Sequence, residues 1–218
     1  MASDNEIIKI ENETIERYNR RLDQYGFEAR SLGWDTKEHQ FVRFATATRH
    51  LDFSKKHILD IGCGFSDFFG YLVQKNIPIR RYSGIDINER LITISKKRFP
   101  ENHYEVRNIL INNYSEPQAD IITLFGLLNF KMKDTENLDY TGKMITESWK
   151  ITRGALVIDF LSTNLCKTYP KEEAVYYHNP EDVLDMCFRL SDNLILLHNY
   201  PPIPQKEFMV ILLKDDNS

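Results

Sequence analysis

The sequence predicts an α/β fold: a seven-stranded, mostly parallel sheet with an antiparallel terminal strand, helices on both faces and an N-terminal helical cap. Three observations carry that expectation. After about residue 55, short β-rich runs alternate with helical segments, the pattern of parallel strands linked by crossover helices. The first of these runs, HILDI, leads into a glycine-bearing turn that opens a helix, as in Rossmann-like sheets. The chain closes with NLILLHNY and KEFMVILLK around a Pro-rich corner, PPIP, which leaves no room for a crossover helix and so makes an antiparallel pair. The division expected is 1–54 for the cap and 55–218 for the sheet domain.

Upstream, ENETIERYNRRLDQYGF and DTKEHQFVRFATATRHL read as two helices separated by a Gly-Trp loop. Asp35 or Thr36 opens the second, in which Phe41, Phe44, Thr48 and Leu51 recur at helical spacing. These two helices either lie across the carboxyl edge of the sheet or cover an edge strand. Strands are expected at 57–61, 81–86, 103–107, 119–125 and 154–160, with helices near 66–76, 88–98 and 137–152. The last helix turns Met144, Ile145, Trp149 and Ile151 inward. The third connection, NILINNYSEPQ, is too short and broken for a crossover helix and is read as a turn or short helix. A long irregular piece, LSTNLCKTYPKEEAVYYHN, follows the fifth strand, after which Asn179 caps a helix and Pro180 takes its first position.

Composition narrows the classes. At 218 residues, 42% hydrophobic and 28% charged, the chain suits a single core with a modest appendage. It holds no run of about 18 uncharged apolar residues, and its N-terminus is polar, so neither a membrane span nor a secretory signal is expected and the cytoplasm is the default location. Cys63, Cys166 and Cys187 form no CxxC, and the six histidines form no HxxxH; buried thiols are expected, with no disulfide framework and no metal site. A net charge of −4 gives no electrostatic reason to expect nucleic acid as partner, and the basic runs at Arg80, Arg81 and Lys96 to Arg98 read as solvated element ends.

The stretch HILDIGCGFSD, from His57 to Asp67, carries the chemistry. Glycine lets backbone approach a ligand closely, and a helix N-terminus exposes unpaired N–H groups. A dinucleotide site wants a third glycine where this chain has Asp67, an acid that would face a pyrophosphate. Asp60 adds negative charge at the strand end, which suits a ligand bearing an amino group or a sulfonium. Asp86, ending the next strand 22 residues after Gly64, suits a pair of ribose hydroxyls. Asn108 offers an acceptor to an adenine amino group, with Ile109 against the ring. Phe125, Gly126 and Leu127 follow the fourth strand and fall beside the first loop.

Together, ILDIGCG, GIDIN, the Asn after strand three and the terminal antiparallel pair resemble the class I S-adenosylmethionine-dependent methyltransferases over roughly residues 55 to 214. More narrowly, YNRRLDQYG, LGWDTKEHQFVRF, GCGFSDFFGYL, GLLNFK and YYHNPEDVL are similar to a bacterial group of unassigned substrate. The resemblance implies a Rossmann-like sheet, S-adenosylmethionine as cofactor with S-adenosylhomocysteine as its product, and cofactor contacts from Asp60, Gly62, Gly64, Asp86, Ile87, Asn108 and Phe125. The family motif reads acid-x-Gly-x-Gly-x-Gly; Ser66 stands where the last glycine falls, and Asn108 where Asp is frequent. Arg43 is a further candidate, for the methionine carboxylate, against the alternative that it pairs with a nearby acid.

Methyl transfer from a sulfonium needs alignment first and a base only when the nucleophile must lose a proton. GLLNF replaces the NPPY-type motif after strand four, which turns the reading away from nucleobase and glutamine amino groups. Acceptor-side candidates are Asn129, Tyr176, Tyr177 and His178, with Tyr18, Tyr25 and Trp34 in the cap; His178, and with it Tyr177, is the candidate catalytic group. A small-molecule acceptor is the first hypothesis. Its rivals are RNA or protein methylation, a non-catalytic cofactor-binding scaffold and a nicotinamide oxidoreductase.

Overall fold

A computed structural model describes residues 4–112, 114–132, 137–165, 167, 171–200 and 205–215. Cys166 and the PPIP corner lie outside the described residues. The sheet has seven strands: β1 (His57–Ile61), β2 (Arg81–Asp86), β3 (His103–Val106), β4 (Ala119–Leu124), β5 (Thr152–Leu161), β6 (Leu194–Leu197) and β7 (Glu207–Leu213). Their spatial order is β3-β2-β1-β4-β5-β7-β6, and only β7 runs against the rest. The expected fold is therefore observed, with β5 longer than expected and β3 and β4 each one residue shorter.

The strands alternate their buried side chains between two hydrophobic layers, as the two-residue period of a strand dictates. Along β5, Ala155 and Val157 enter one layer while Leu156, Ile158 and Phe160 enter the other. In β7, Met209 and Ile211 face the first and Phe208, Val210 and Leu212 the second. The first layer is closed by α2 (Lys37–His50), α3 (Asp67–Gln74) and, through Ile92, α4 (Glu89–Arg98). Phe44, Phe53, Phe68 and Phe125 pack there edge-on or tilted, with ring centroids 4.9–5.4 Å apart. The second layer is closed by α5 (Asn137–Lys150), through Met144, Ile145 and Trp149, and by α6 (Pro180–Phe188).

Local chemistry sets the helix starts. Thr36 accepts a hydrogen bond from the N–H of His39 at 3.1 Å, and Asn88 and Asn179 cap α4 and α6 in the same way. Among its described residues the β3–β4 link holds no helix; the N–H of Asn112 donates there to the carbonyl of Asn108 in a turn. Helix α1 (Asp4–Tyr25) lies across the strand tips rather than along an edge. Asn88 donates to Asn19 at 3.0 Å, Asn108 donates to Glu11 at 2.9 Å, and Arg90 pairs with Asp23 at 2.6 Å. An unexpected 3-10 helix (Ala29–Leu32), closed by Gly33 at φ 89°, joins α1 to α2. Among the described residues no helix is long and apolar enough to cross a membrane.

Phe53 is 1% exposed and lies outside both cavities described below. Phe53→Ala is expected to lower the unfolding free energy by about 3–5 kcal/mol, read from the urea midpoint at unchanged slope.

Candidate functional site

Where strand order reverses, β1 and β4 separate beyond their carboxyl ends and leave a cavity floored by the glycine turn. Gly62 and Gly64 sit at φ 73° and 54°. A Cβ on Gly62 would stand 2.6 Å from Leu127, and one on Gly64 2.9 Å from Leu32, so bare backbone lets both walls close. Ser66 also takes the left-handed conformation, at φ 58°. That backbone explains a preference for glycine there and the strain this chain accepts.

Asp60, Asp67 and Asp86 line the cavity. Asp67 is neutralised by Arg98 at 2.5 Å. Asp60 accepts hydrogen bonds from the hydroxyls of Tyr82 at 2.6 Å and Thr123 at 2.7 Å, and among the described residues no cation pairs with it. Asp86 accepts from the N–H of Gly64 at 3.0 Å and of Asn88 at 2.9 Å. Burial pushes both carboxyls up to about 6, against the opposing pull of those hydrogen bonds. Arg107 is the one cation among the lining residues, and it is engaged with Glu105 at 2.8 Å. The cavity therefore has two poorly compensated carboxyls and suits a positively charged ligand.

Toward β3 the lining is Ile87, Leu91, Asn108 and Ile109. Asn108 is already tied at both ends, its amide donating to Glu11 and its oxygen accepting from the N–H of Leu110. Ile10, Thr14 and Tyr18 of α1 form the roof. Toward β4 the wall is Phe125, Gly126 and Leu127, with Trp34 laid against Gly126: a Cβ there would stand 2.2 Å from the indole.

Trp34 is held from behind by Arg43, whose guanidinium carbon lies 4.0 Å from the ring centroid. Arg43 is 3% exposed. Its guanidinium pairs with Glu207, lies 3.5 Å from Asp159 and donates to the carbonyl of His39 at 2.7 Å. Asp159 in turn accepts the N–H of Gly126 at 2.7 Å. The contacts close a ring: Asp159, Gly126, Trp34, Arg43. Burial raises the Asp159 carboxyl and pushes Glu207 up to about 8, with Arg43 opposing both. The cluster sets one guanidinium against two buried carboxyls, both raised by burial.

No protein-family model matches the sequence, and no curated protein is similar to it. Solved structures do match. Magnesium protoporphyrin IX methyltransferase from Synechocystis PCC 6803, solved with bound SAH, superposes at a TM-score of 0.65 with 13% identity over 97% of this chain and 100% of that one. An S-adenosylmethionine-dependent methyltransferase from Clostridium acetobutylicum ATCC 824 gives 0.61 and 14%, over 91% and 99%. A TehB-like SAM-dependent methyltransferase from Corynebacterium glutamicum gives 0.56 and 19%, over 94% and 99%. This is the methyltransferase fold.

On that methyltransferase fold, Asp60, Gly62, Gly64, Asp86, Ile87, Asn108, Ile109 and Phe125 all line one cavity. Arg43 does not line it; the alternative reading, pairing with acids, describes its surroundings. His178 and Tyr177 line neither that cavity nor its neighbour. His178 is fully buried, 3.0 Å from the Thr141 hydroxyl and edge-on to Phe160 and Tyr176, and burial pulls its imidazole down to about 4. It is neutral and shut away at pH 7, a packing residue under the β5 tip. Tyr177 accepts the N–H of Glu172 through its hydroxyl at 2.9 Å. Tyr18 and Trp34 do reach the cavity, Asn129 reaches its neighbour, and Tyr25 and Tyr176 reach neither. Gln40 and Tyr140 line the cavity without a sequence signal; only their helical phase could have indicated an inward face, as it did for Met144.

Two outcomes follow. Glu207 binds its proton more tightly folded than at its ordinary value of 4.5, so it makes stability fall as pH rises from about 4.5 to about 8; Glu207→Gln is expected to flatten that slope in urea melts. Gly126→Ala is expected to displace Trp34, read as a shift in indole emission in a Trp149→Phe background where Trp34 is the sole tryptophan.

Proposed function

We propose that the protein is a methyltransferase that binds S-adenosylmethionine in the glycine-turn cavity and methylates a small-molecule acceptor. The observation that carries the reading is the pair of buried, cation-free carboxyls, Asp60 and Asp86, flanking a glycine turn at the switch point of a methyltransferase fold. S-adenosylmethionine fits that donor set, because its amino group and sulfonium supply the positive charge the cavity lacks. When bound, it supplies an activated methyl group on sulfur, which passes in line to a nucleophile while the bonding pair stays on sulfur as a thioether.

The residues of this chain bind and align. Each Asp86 oxygen keeps a lone pair after accepting one backbone N–H, enough for the two ribose hydroxyls. Asp60 faces the amino acid end, with its carboxylate oriented by Tyr82 and Thr123. Ile87 and Ile109 enclose the base, and Asn108, tied to Glu11, edges it. Phe125 and Trp34 exclude water on the β4 side, and α1 does so from above. The acidic lining and the net charge of −4 speak for a small acceptor over a nucleic acid backbone. No proton transfer is assigned to His178 or Tyr177.

Calorimetric titration is expected to show binding of S-adenosylmethionine and S-adenosylhomocysteine but not of NAD. Binding of NAD alone would overturn the reading, and binding of none would replace it with a scaffold. Asp86→Asn is expected to weaken binding by about tenfold or more, about 1.4 kcal/mol. Because Asp60 and Asp86 must ionise to receive a cation, affinity for S-adenosylmethionine is expected to rise from pH 5 to pH 7, by about tenfold for each carboxyl that loses its proton on binding.

A further inference from the structure

A second cavity adjoins the first. The two share Tyr18, Leu32, Trp34, Gly126 and Phe130 as walls, so the ring that fixes Trp34 also fixes the partition between them. Beyond the partition the lining comes from the tips of β4 and β5, through Asn129 and Leu161, and from the segments carrying Glu172 and Gln205.

Two side chains there keep unused hydrogen-bonding capacity among the described residues. Arg17 is half-buried, with its guanidinium carbon 4.3 Å over the Phe130 ring. A guanidinium on a ring face keeps its edge N–H groups for a bidentate acceptor. Among the described residues Arg17 makes no ion pair and no hydrogen bond, and Glu172, the acid that favours its charge, lies beyond ion-pair distance. Glu172 is exposed and already accepts the Gln205 amide at 3.0 Å. Gln205 is 5% exposed, and its side-chain oxygen is buried with no donor among the described residues. A partly desolvated cation with no ion-pair partner among the described residues, and a buried acceptor with no donor among them, each cost free energy until a ligand supplies the complement. The aromatic walls of Trp34, Tyr18 and Phe130 add apolar contact area.

We propose that this second cavity seats the methyl acceptor, a small flat molecule bearing a carboxylate that Arg17 pairs and a hydrogen-bond donor that Gln205 receives. The inference rests on the methyltransferase reading above. The carboxylate is the handle, and the partition sets how far the rest of the molecule reaches toward the first cavity. The rim acids Asp35 and Glu172 speak for a cation instead, but both are exposed and screened, whereas Arg17 is partly withdrawn from water.

The test uses benzoate, benzamide and benzylammonium as probes of one shape and three charges, titrated by calorimetry into protein saturated with S-adenosylhomocysteine. Benzoate is expected to bind at millimolar concentrations, with benzamide and benzylammonium weaker by about tenfold or more. Arg17→Met is expected to cost benzoate the same factor, and Arg17→Lys to restore part of it. Equal affinity for benzoate and benzamide, preference for benzylammonium, or no benzoate binding would overturn the proposal, on wild-type protein and so independently of how the variants fold. Failure of S-adenosylhomocysteine to bind would sink the methyltransferase reading instead. The three probes titrated into the free protein would still decide whether the second cavity takes a carboxylate.

Discussion

The buried guanidinium of Arg43 is the constraint on which the rest of the site depends. It links α2 to β5 and β7 through Asp159 and Glu207, and it carries Trp34 on its face. Burying a cation is costly, and the attraction of its partners does little more than offset that cost. What the arrangement contributes is position. Asp159 uses its other oxygen to hold the Gly126 backbone, so the turn after β4 and the indole that leans on it are fixed from one point. Glu207 adds a third ionisable group, and burial makes it give up its proton less readily than an exposed acid.

The glycine-turn cavity was legible in the sequence because its determinants are local. Asp60, Gly62 and Gly64 lie within five residues, Asp86 ends the next strand, and any parallel sheet brings those strand ends together. The second cavity and the cluster beneath its wall were not legible. Arg43 and Glu207 are 164 residues apart, and nothing in FVRF marks its arginine as buried. Arg17 looks like one of several charges on a polar helix until Phe130 is seen beneath it. His178 misled for the same reason: a histidine before a helix cap looks exposed, and only the packing of Phe160 and Tyr176 shows otherwise.

The strands were readable from period and composition, since β1, β4, β5 and β7 are largely buried on both faces and so appear as apolar runs interrupted by few polar residues, Asp60 in β1 and Asp159 in β5 among them. The cap was readable only in outline. Its helices follow from their apolar spacing, but the placement of α1 over the strand tips depends on Asn19, Glu11 and Asp23 meeting Asn88, Asn108 and Arg90, polar pairs with no periodic signature.

The reversal of β7 has an architectural consequence. In a sheet whose strands all point one way, the edge that bears the ligands receives only strand endings, each followed by a loop leaving the sheet. A reversed strand begins at that edge, with Glu207 level with Leu161, so the chain arrives there just before its last pass. One inverted strand thereby delivers Gln205 and Glu207, two residues apart, to opposite duties: the first into a cavity, the second beneath its wall.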